Sequence, residues 1–273
     1  MQSYDEYYGF SKTPFVKNIP PGELFMSRDM ENALGCMIHA ASNQQMVALM
    51  GEPGAGKSTL IRKLDAVLSK DAYRLLYVAD SGLTPKWLYN NYLEQLGMQR
   101  EYFRGPARHS FLQEMESLAE KKISVVCVLD EAHLLERETL EEFRFFLNSG
   151  FDSKSPVSLI LVGQTELWTH KLRLKEYQAI QQRLDWRIFL KPLDRTDTER
   201  YLNKQMEYGG RPSQNIFDEK AIDIIFQSSS GIPRLINRIC DNALLYGAQQ
   251  GKKKLDSFDL RYVMDHMSLQ APS

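Results

Sequence analysis

The stretch Met46–Leu60, MVALMGEPGAGKSTL, constrains this chain more than any other. It opens on a short apolar run, Met46 to Met50, that reads as a buried parallel strand. Gly51 follows, then four residues, then Gly56-Lys57-Ser58, the G-x-x-x-x-G-K-[ST] spacing of a phosphate-binding loop. Gly51, Gly54 and Gly56 allow positive φ and let bare backbone N–H groups close around phosphate oxygens. Lys57 brings a point charge to the β- and γ-phosphates, and Ser58 offers a hydroxyl to Mg²⁺. A helix beginning near Lys57, with Leu60, Ile61, Leu64, Val67 and Leu68 on its apolar face, turns its positive end toward that anion. The nucleotide-binding set is therefore Gly51, Glu52, Pro53, Gly54, Ala55, Gly56, Lys57, Ser58 and Thr59, and the ligands it implies are ATP and Mg²⁺.

The rest of the composition excludes several alternatives. With 273 residues the chain can bury a substantial core, and one large domain plus a small one is the natural division. A net charge of −1 announces no global field for nucleic acid or membrane, so any basic surface must be local. Cys36, Cys127 and Cys240 are isolated, with no C-x-x-C spacing, which predicts a reducing cytoplasm and no disulfides. No apolar stretch reaches the ~18 residues of a membrane span, and the polar start MQSYDEYYGF is not a signal peptide.

Along the chain, residues 1–26 read as an irregular aromatic and proline-rich strap packed on the domain surface. A helix is predicted from Ser27 to about Ala41, a second strand at Arg74–Ala79, and a helix opened by Thr84-Pro85 and running through Leu96. A polar connection, Gln99–His109, carries Arg100, Arg104 and Arg108 and precedes a helix over Ser110–Lys121. Ile123–Leu129 is a nearly continuous apolar run, typical of a strand buried on both faces. A helix near Glu138–Asn148, a strand at Val157–Val162, a broken helical span Thr165–Leu184 and a fifth strand at Trp186–Leu190 follow. Strands separated by helical spans give a five-stranded parallel α/β sheet. After Pro192 the pattern becomes helical: a capping box at Thr196–Glu199, then helices near Asp218–Ser228, Pro233–Gln249 and Ser257–Met267. Gly209-Gly210-Arg211-Pro212 and Gly251 read as turns between them. The predicted organisation is a strap (1–26), an α/β base (27–193) and a helical lid (194–273).

The apolar strand ending in Asp130-Glu131 supplies the second half of the site. Asp130 can hold Mg²⁺ through water, and Glu131 can orient or deprotonate an attacking water. Gln164 follows the fourth strand, where its amide can reach the same water or instead cap the next helix. Arg183 and Arg187 flank the turn into the fifth strand, and Arg234 opens a lid helix in Gly231-Ile232-Pro233-Arg234.

Together, residues 51–58, 125–131, Gln164, Arg183 and Gly231–Arg234 resemble an AAA+ ATPase. The segments YYGFSKTPF at 7–15, LFMSRDMENAL at 24–34 and GIPRLINRICDNALL at 231–245 resemble the ExeA-like (general secretion pathway A) group, over nearly the whole chain. That group includes ATPases encoded with transposases, related to the TniB, TnsC and MuB regulators. The resemblance implies ATP-driven oligomerisation into a ring or helical filament, Arg183 acting across a subunit boundary and Arg234 as a sensor on the lid. It also implies a strap near the adenine around Phe10–Phe15. Secretion relatives continue past the lid into a membrane span, whereas this sequence stops at Ser273, which favours the cytosolic transposition branch.

The leading expectation is thus an ATPase that assembles on double-stranded DNA and helps a transposase, with or without a target-selector protein, to choose its target. A secretion-machine ATPase, a replication initiator or loader, and a P-loop small-molecule kinase are the alternatives. Lys86, Arg100 and Arg104 are the candidate DNA contacts, set against an ordinary mixed-charge surface.

Overall fold

The chain begins with a one-turn helix, α1 (Tyr4–Tyr8), capped by Ser3 and closed by Gly9 in the left-handed region. The aromatic and proline-rich start is thus helical at Tyr4–Tyr8 rather than wholly irregular. The computed structural model describes residues 3–80, 82–146, 155–210 and 216–266. Two compact units divide it: residues 29–53 with 57–190, and residues 1–28 with 54–56 and 191–273.

In the first unit, α2 (Arg28–Asn43) leads into β1 (Met46–Gly51), every residue of which is buried. Next come α3 (Lys57–Val67), β2 (Tyr73–Val78), α4 (Pro85–Gln95), α5 (Arg104–Glu120), β3 (Ser124–Leu129) and α6 (Arg137–Phe146). The unit closes with β4 (Ser158–Gly163), α7 (Gln178–Gln181) and β5 (Leu184–Leu190). The five strands are all parallel and lie in the order β2-β3-β4-β1-β5. β1, β3 and β4 are central and read as continuous apolar runs because both faces are covered. On one face Met46, Ala48, Met50, Leu76, Val78, Cys127 and Leu161 join a core with Tyr89, Tyr92 and Phe111 of α4 and α5. β2 is an edge strand. The Gln95 amide closes it like a missing strand, accepting from the Tyr77 N–H at 2.9 Å and donating to the Tyr77 carbonyl at 3.0 Å.

Two elements in this unit start two or more residues before the expected position. α5 starts at Arg104, not Ser110, because Pro106 falls in the first turn, where its missing N–H costs no bond. Arg104, Arg108 and His109 are therefore helical residues rather than part of a connection. β5 begins at Leu184, two residues before the predicted Trp186, through ladder pairing with Met46. The broken span after β4 is a turn of π-helix (Leu167–Leu172), a 3₁₀ turn (Lys175–Tyr177) and α7. The predicted helix end at Asn148 lies outside the described residues, as do the Arg211-Pro212 turn and the end at Met267.

The second unit holds α8 (Arg195–Tyr208), α9 (Glu219–Ser229), α10 (Pro233–Gln249) and α11 (Ser257–His266). α8 is capped by Asp194, whose carboxylate accepts from the Asp197 N–H at 2.7 Å. The predicted capping box at Thr196 is thus pre-empted by a cap two residues upstream, and Thr196 lies within the first turn. α9 starts the same way, with Asp218 accepting from the Ala221 N–H at 2.7 Å. The strap is part of this unit's interior: Tyr8 and Phe15 are buried with Leu202, Met206, Ile236 and Leu244. The Tyr8 hydroxyl donates to the Lys252 carbonyl at 2.9 Å, and the Phe15 N–H donates to Gln205 Oε1 at 3.1 Å.

Gly231 shows how tightly this unit closes. Its φ is +72°, and a Cβ there would lie 1.8 Å from the Leu193 carbonyl oxygen. Gly231→Ala is therefore expected to cost about 2–4 kcal/mol in urea unfolding. A loss below about 0.5 kcal/mol, the range of an ordinary surface change, would contradict this packing.

Candidate functional site

The loop after β1 divides its glycine requirements differently from the sequence reading. Gly54 and Gly56 have φ of +85° and +101°, as a phosphate-cradling loop needs. Gly51 has no positive φ; it is required by proximity, since a Cβ there would meet the Leu190 carbonyl of β5 at 2.6 Å. Lys57, only 8% exposed, opens α3. Its Nζ donates to the carbonyls of Gly51 at 2.8 Å and Glu52 at 3.0 Å, so the ammonium is held inside the loop. Glu52 and Pro53 are exposed, Ala55 is buried and Thr59 half-buried.

Ser58 Oγ donates to Asp130 Oδ2 at 2.8 Å. Asp130 is 3% exposed and sits one residue beyond β3, its own N–H extending the ladder to the Val78 carbonyl at 2.8 Å. The Tyr77 hydroxyl donates to the same Oδ2 at 2.7 Å, and the Glu131 N–H donates to Oδ1 at 2.9 Å. Burial, with the Asp130 carboxylate as acceptor, raises the Tyr77 pKa well above the ordinary phenol value. The phenol therefore keeps its proton and can donate it to that carboxylate. Glu131 adopts φ +55°, and its side chain is 49% exposed, turned outward from the buried acid beside it.

Gln164 follows β4, which lies between β3 and β1, so it emerges between the acid pair and the glycine loop. Its N–H donates to His133 Nδ1 at 3.5 Å, and that nitrogen lies 3.6 Å from Glu131 Oε2. Gly163 permits this closeness, since a Cβ there would stand 3.2 Å from the His133 backbone nitrogen. Lys57, Ser58, Asp130, Glu131 and Gln164 are thus brought together on one end of the sheet. Tyr77 and His133 were not singled out by the sequence reading. The histidine had a signal, its place two residues after Glu131; Tyr77 had none, because its position opposite Val128 is a matter of register.

The arginines separate by position. Arg183 precedes β5, where Leu184 pairs with Met46 at the start of β1, while the loop begins at Gly51 at the end of β1. The intervening strand puts Arg183 about 17 Å from its own loop. The guanidinium donates to the Ala179 carbonyl at 3.4 Å. Arg187 stacks over Trp168 at 4.5 Å. In the helical unit, Arg234 is exposed and its N–H donates to the Gly54 carbonyl at 3.4 Å.

The three candidate DNA contacts are each engaged locally. Lys86 lies over the Tyr102 ring at 4.9 Å. Arg100 pairs with Glu94 at 2.6 Å and lies over Trp87. Arg104 pairs with Glu138 at 2.6 Å and with Glu142, whose carboxylate is wholly buried and also accepts from the Tyr89 hydroxyl at 2.7 Å. A buried carboxylate needs such a partner, so Arg104 has a structural task that the sequence did not disclose.

Residues 39–170 match the family model described as AAA domain. With the parallel sheet, the glycine loop and the acid pair, this match gives the chain the α/β AAA+ P-loop fold, the fold of ATP hydrolases. The chain is similar to general secretion pathway protein A of Aeromonas hydrophila, at 31% identity over 261 residues, covering 94% of this chain and 47% of that protein. It therefore spans about half the length of that relative. Among solved structures, the ORC2 protein of Aeropyrum pernix in ADPNP–ADP complexes superposes with a TM-score of 0.70 at 17% identity, covering 95% of this chain and 74% of that one. Drosophila ORC bound to DNA gives 0.66 at 17% identity, covering 97% and 65%. These two likenesses speak for the fold alone.

Lys57→Ala removes the one ammonium inside the loop and is expected to reduce ATP affinity at least about tenfold by calorimetry, given the charge it brings to the phosphates. Undiminished affinity would contradict this placement.

Proposed function

We propose that the chain is an ATP-driven switch that assembles from several copies, acts on duplex DNA and regulates target selection by a transposase. The observation that carries the catalytic part is the 2.8 Å bond between Ser58 and buried Asp130, with half-exposed Glu131 next in sequence. A hydroxyl and a carboxylate are hard oxygen donors, too few for an all-protein cage but suited to a cation that shares phosphate oxygens and water. Mg²⁺ held there would neutralise charge at the β- and γ-phosphates. Lys57 adds its charge from within the loop, Glu131 takes a proton from the attacking water, and Gln164 orients that water. On the resemblance to AAA+ ATPases, Arg234 is assigned to sense the phosphates and the strap around Phe10–Phe15 to contact the adenine.

Assembly is supported by the place of Arg183. Transition-state charge on the transferring phosphoryl group calls for a donor, and an arginine supplied in trans is worth ~10³–10⁵ in rate. Arg183, at the opposite end of β1 from its own loop, suits the loop of a neighbour. The DNA reading draws on the fold shared with Drosophila ORC bound to DNA, and Lys86 is its best local contact because Arg100 and Arg104 are paired. The 31% identity to general secretion pathway protein A supports a second reading, the ATPase portion of a secretion protein.

Glu131→Gln keeps the shape of the site and removes the base. ATP should bind normally while turnover falls at least about 10²-fold, and turnover at the parental rate would exclude Glu131 as the base. Arg183→Ala and Lys57→Ala proteins should each hydrolyse poorly, yet regain activity when mixed, because some interfaces then pair an intact loop with an intact arginine. No recovery between folded proteins would place the arginine in cis. Retention on duplex DNA should require ATP or an unhydrolysed analogue and fall steeply with salt. DNA binding that is absent at low salt with either nucleotide would shift the reading to secretion.

A further inference from the structure

The carboxylate of Asp130 is fixed by three donors from three elements: the Ser58 hydroxyl on α3, the Tyr77 hydroxyl on β2 and the Glu131 N–H after β3. Two of them share Oδ2. Tyr77 is unusual in what it lacks as well as in what it touches. Its residue is 38% exposed and lies on the face of β2 opposite Leu76 and Val78, so the side chain is not a pillar of the core. Its backbone is already secured by the Gln95 amide on the strand edge.

We propose that Tyr77 is a positioning residue for the cation site, acting through Asp130 and Ser58. The proposal rests on the reading of Ser58 and Asp130 as the Mg²⁺ site. A serine hydroxyl has one proton and two lone pairs. While Asp130 Oδ2 faces Ser58, that proton is committed to the carboxylate and the lone pairs of Oγ are left for a cation. The Tyr77 hydroxyl, donating to the same Oδ2 at 2.7 Å, holds that oxygen in place. Without it, Asp130 can turn about its own side-chain bond, and the Ser58 proton is released to point toward the cation it should be receiving. Tyr77 touches neither nucleotide nor the reacting atoms in this account. Its effect is on the geometry of the groups that do. Partners of this kind behind metal-binding groups are typically worth about 10–100-fold in metal affinity.

The test is Tyr77→Phe in the full chain, with Tyr73→Phe as the control. Tyr73 is on the same strand, and its hydroxyl pairs with Ser42 Oγ at 3.0 Å, away from Asp130. Binding of a fluorescent ATP analogue is measured in EDTA and then as Mg²⁺ is titrated in. The expected result is unchanged affinity in EDTA for all three proteins, and a half-saturating Mg²⁺ concentration raised about tenfold in Tyr77→Phe alone. Excess Mg²⁺ should then return Tyr77→Phe to parental turnover. A merely structural loss would lower the EDTA affinity or the thermal midpoint and would not be rescued by the cation. Parental Mg²⁺ dependence in a folded Tyr77→Phe protein overturns the proposal and leaves the site assignment standing. Mg²⁺-independent binding by the parent chain overturns the site assignment itself.

Discussion

A buried carboxylate organises this molecule. Asp130, 3% exposed, sits where β3 ends, and an ionised group there is tolerable only if its oxygens are bonded. Tyr77, Ser58 and the Glu131 N–H meet that need, and in doing so they pin the edge strand, the helix after the glycine loop and the turn after β3 to one point. The backbone of Asp130 is fixed as well, through its bond to Val78. Glu131 then has its direction imposed on it: with φ of +55° it leaves the strand at a sharp angle and presents its carboxylate outward. One acid is locked and the other is left accessible.

The sheet order sets which groups share that end of the molecule. β4 lies between β1 and β3, so Gln164 emerges between loop and acids, its backbone N–H beside His133 Nδ1. Because all the strands are parallel, the same order sends Arg183 to the opposite end, beside Met46. The register thus separates Arg183 from the residues gathered at the carboxyl ends of the strands.

Much of this was legible in the sequence, and the reasons it was or was not are physical. The glycine loop and the Asp130-Glu131 pair are contiguous, so spacing alone conveys their chemistry. The nearly continuous apolar runs of β1, β3 and β4 pointed to a buried parallel sheet. What depended on register was hidden. Tyr77 reaches Asp130 only because β2 and β3 pair with Val78 opposite Leu129, and Gln95 closes the β2 edge from a helix eighteen residues on. Arg104 looked like a free cation because its partner Glu142 lies 38 residues away. Local competition hid two more features: Asp194 captured the start of α8 ahead of Thr196, and Pro106 was accommodated inside the first turn of α5. Gly51 was recognised, but its reason, the approach of β5, belongs to the tertiary fold.

The loop after β1 and the acids after β3 together build one nucleotide site in this account. Hydrogen–deuterium exchange with and without an ATP analogue and Mg²⁺ tests it most directly. Protection should concentrate in peptides covering Gly51–Leu60 and Leu129–His133, with the β2 segment around Tyr77 following through its bond to Asp130. Protection confined to other segments, or none at saturating nucleotide, would contradict the account.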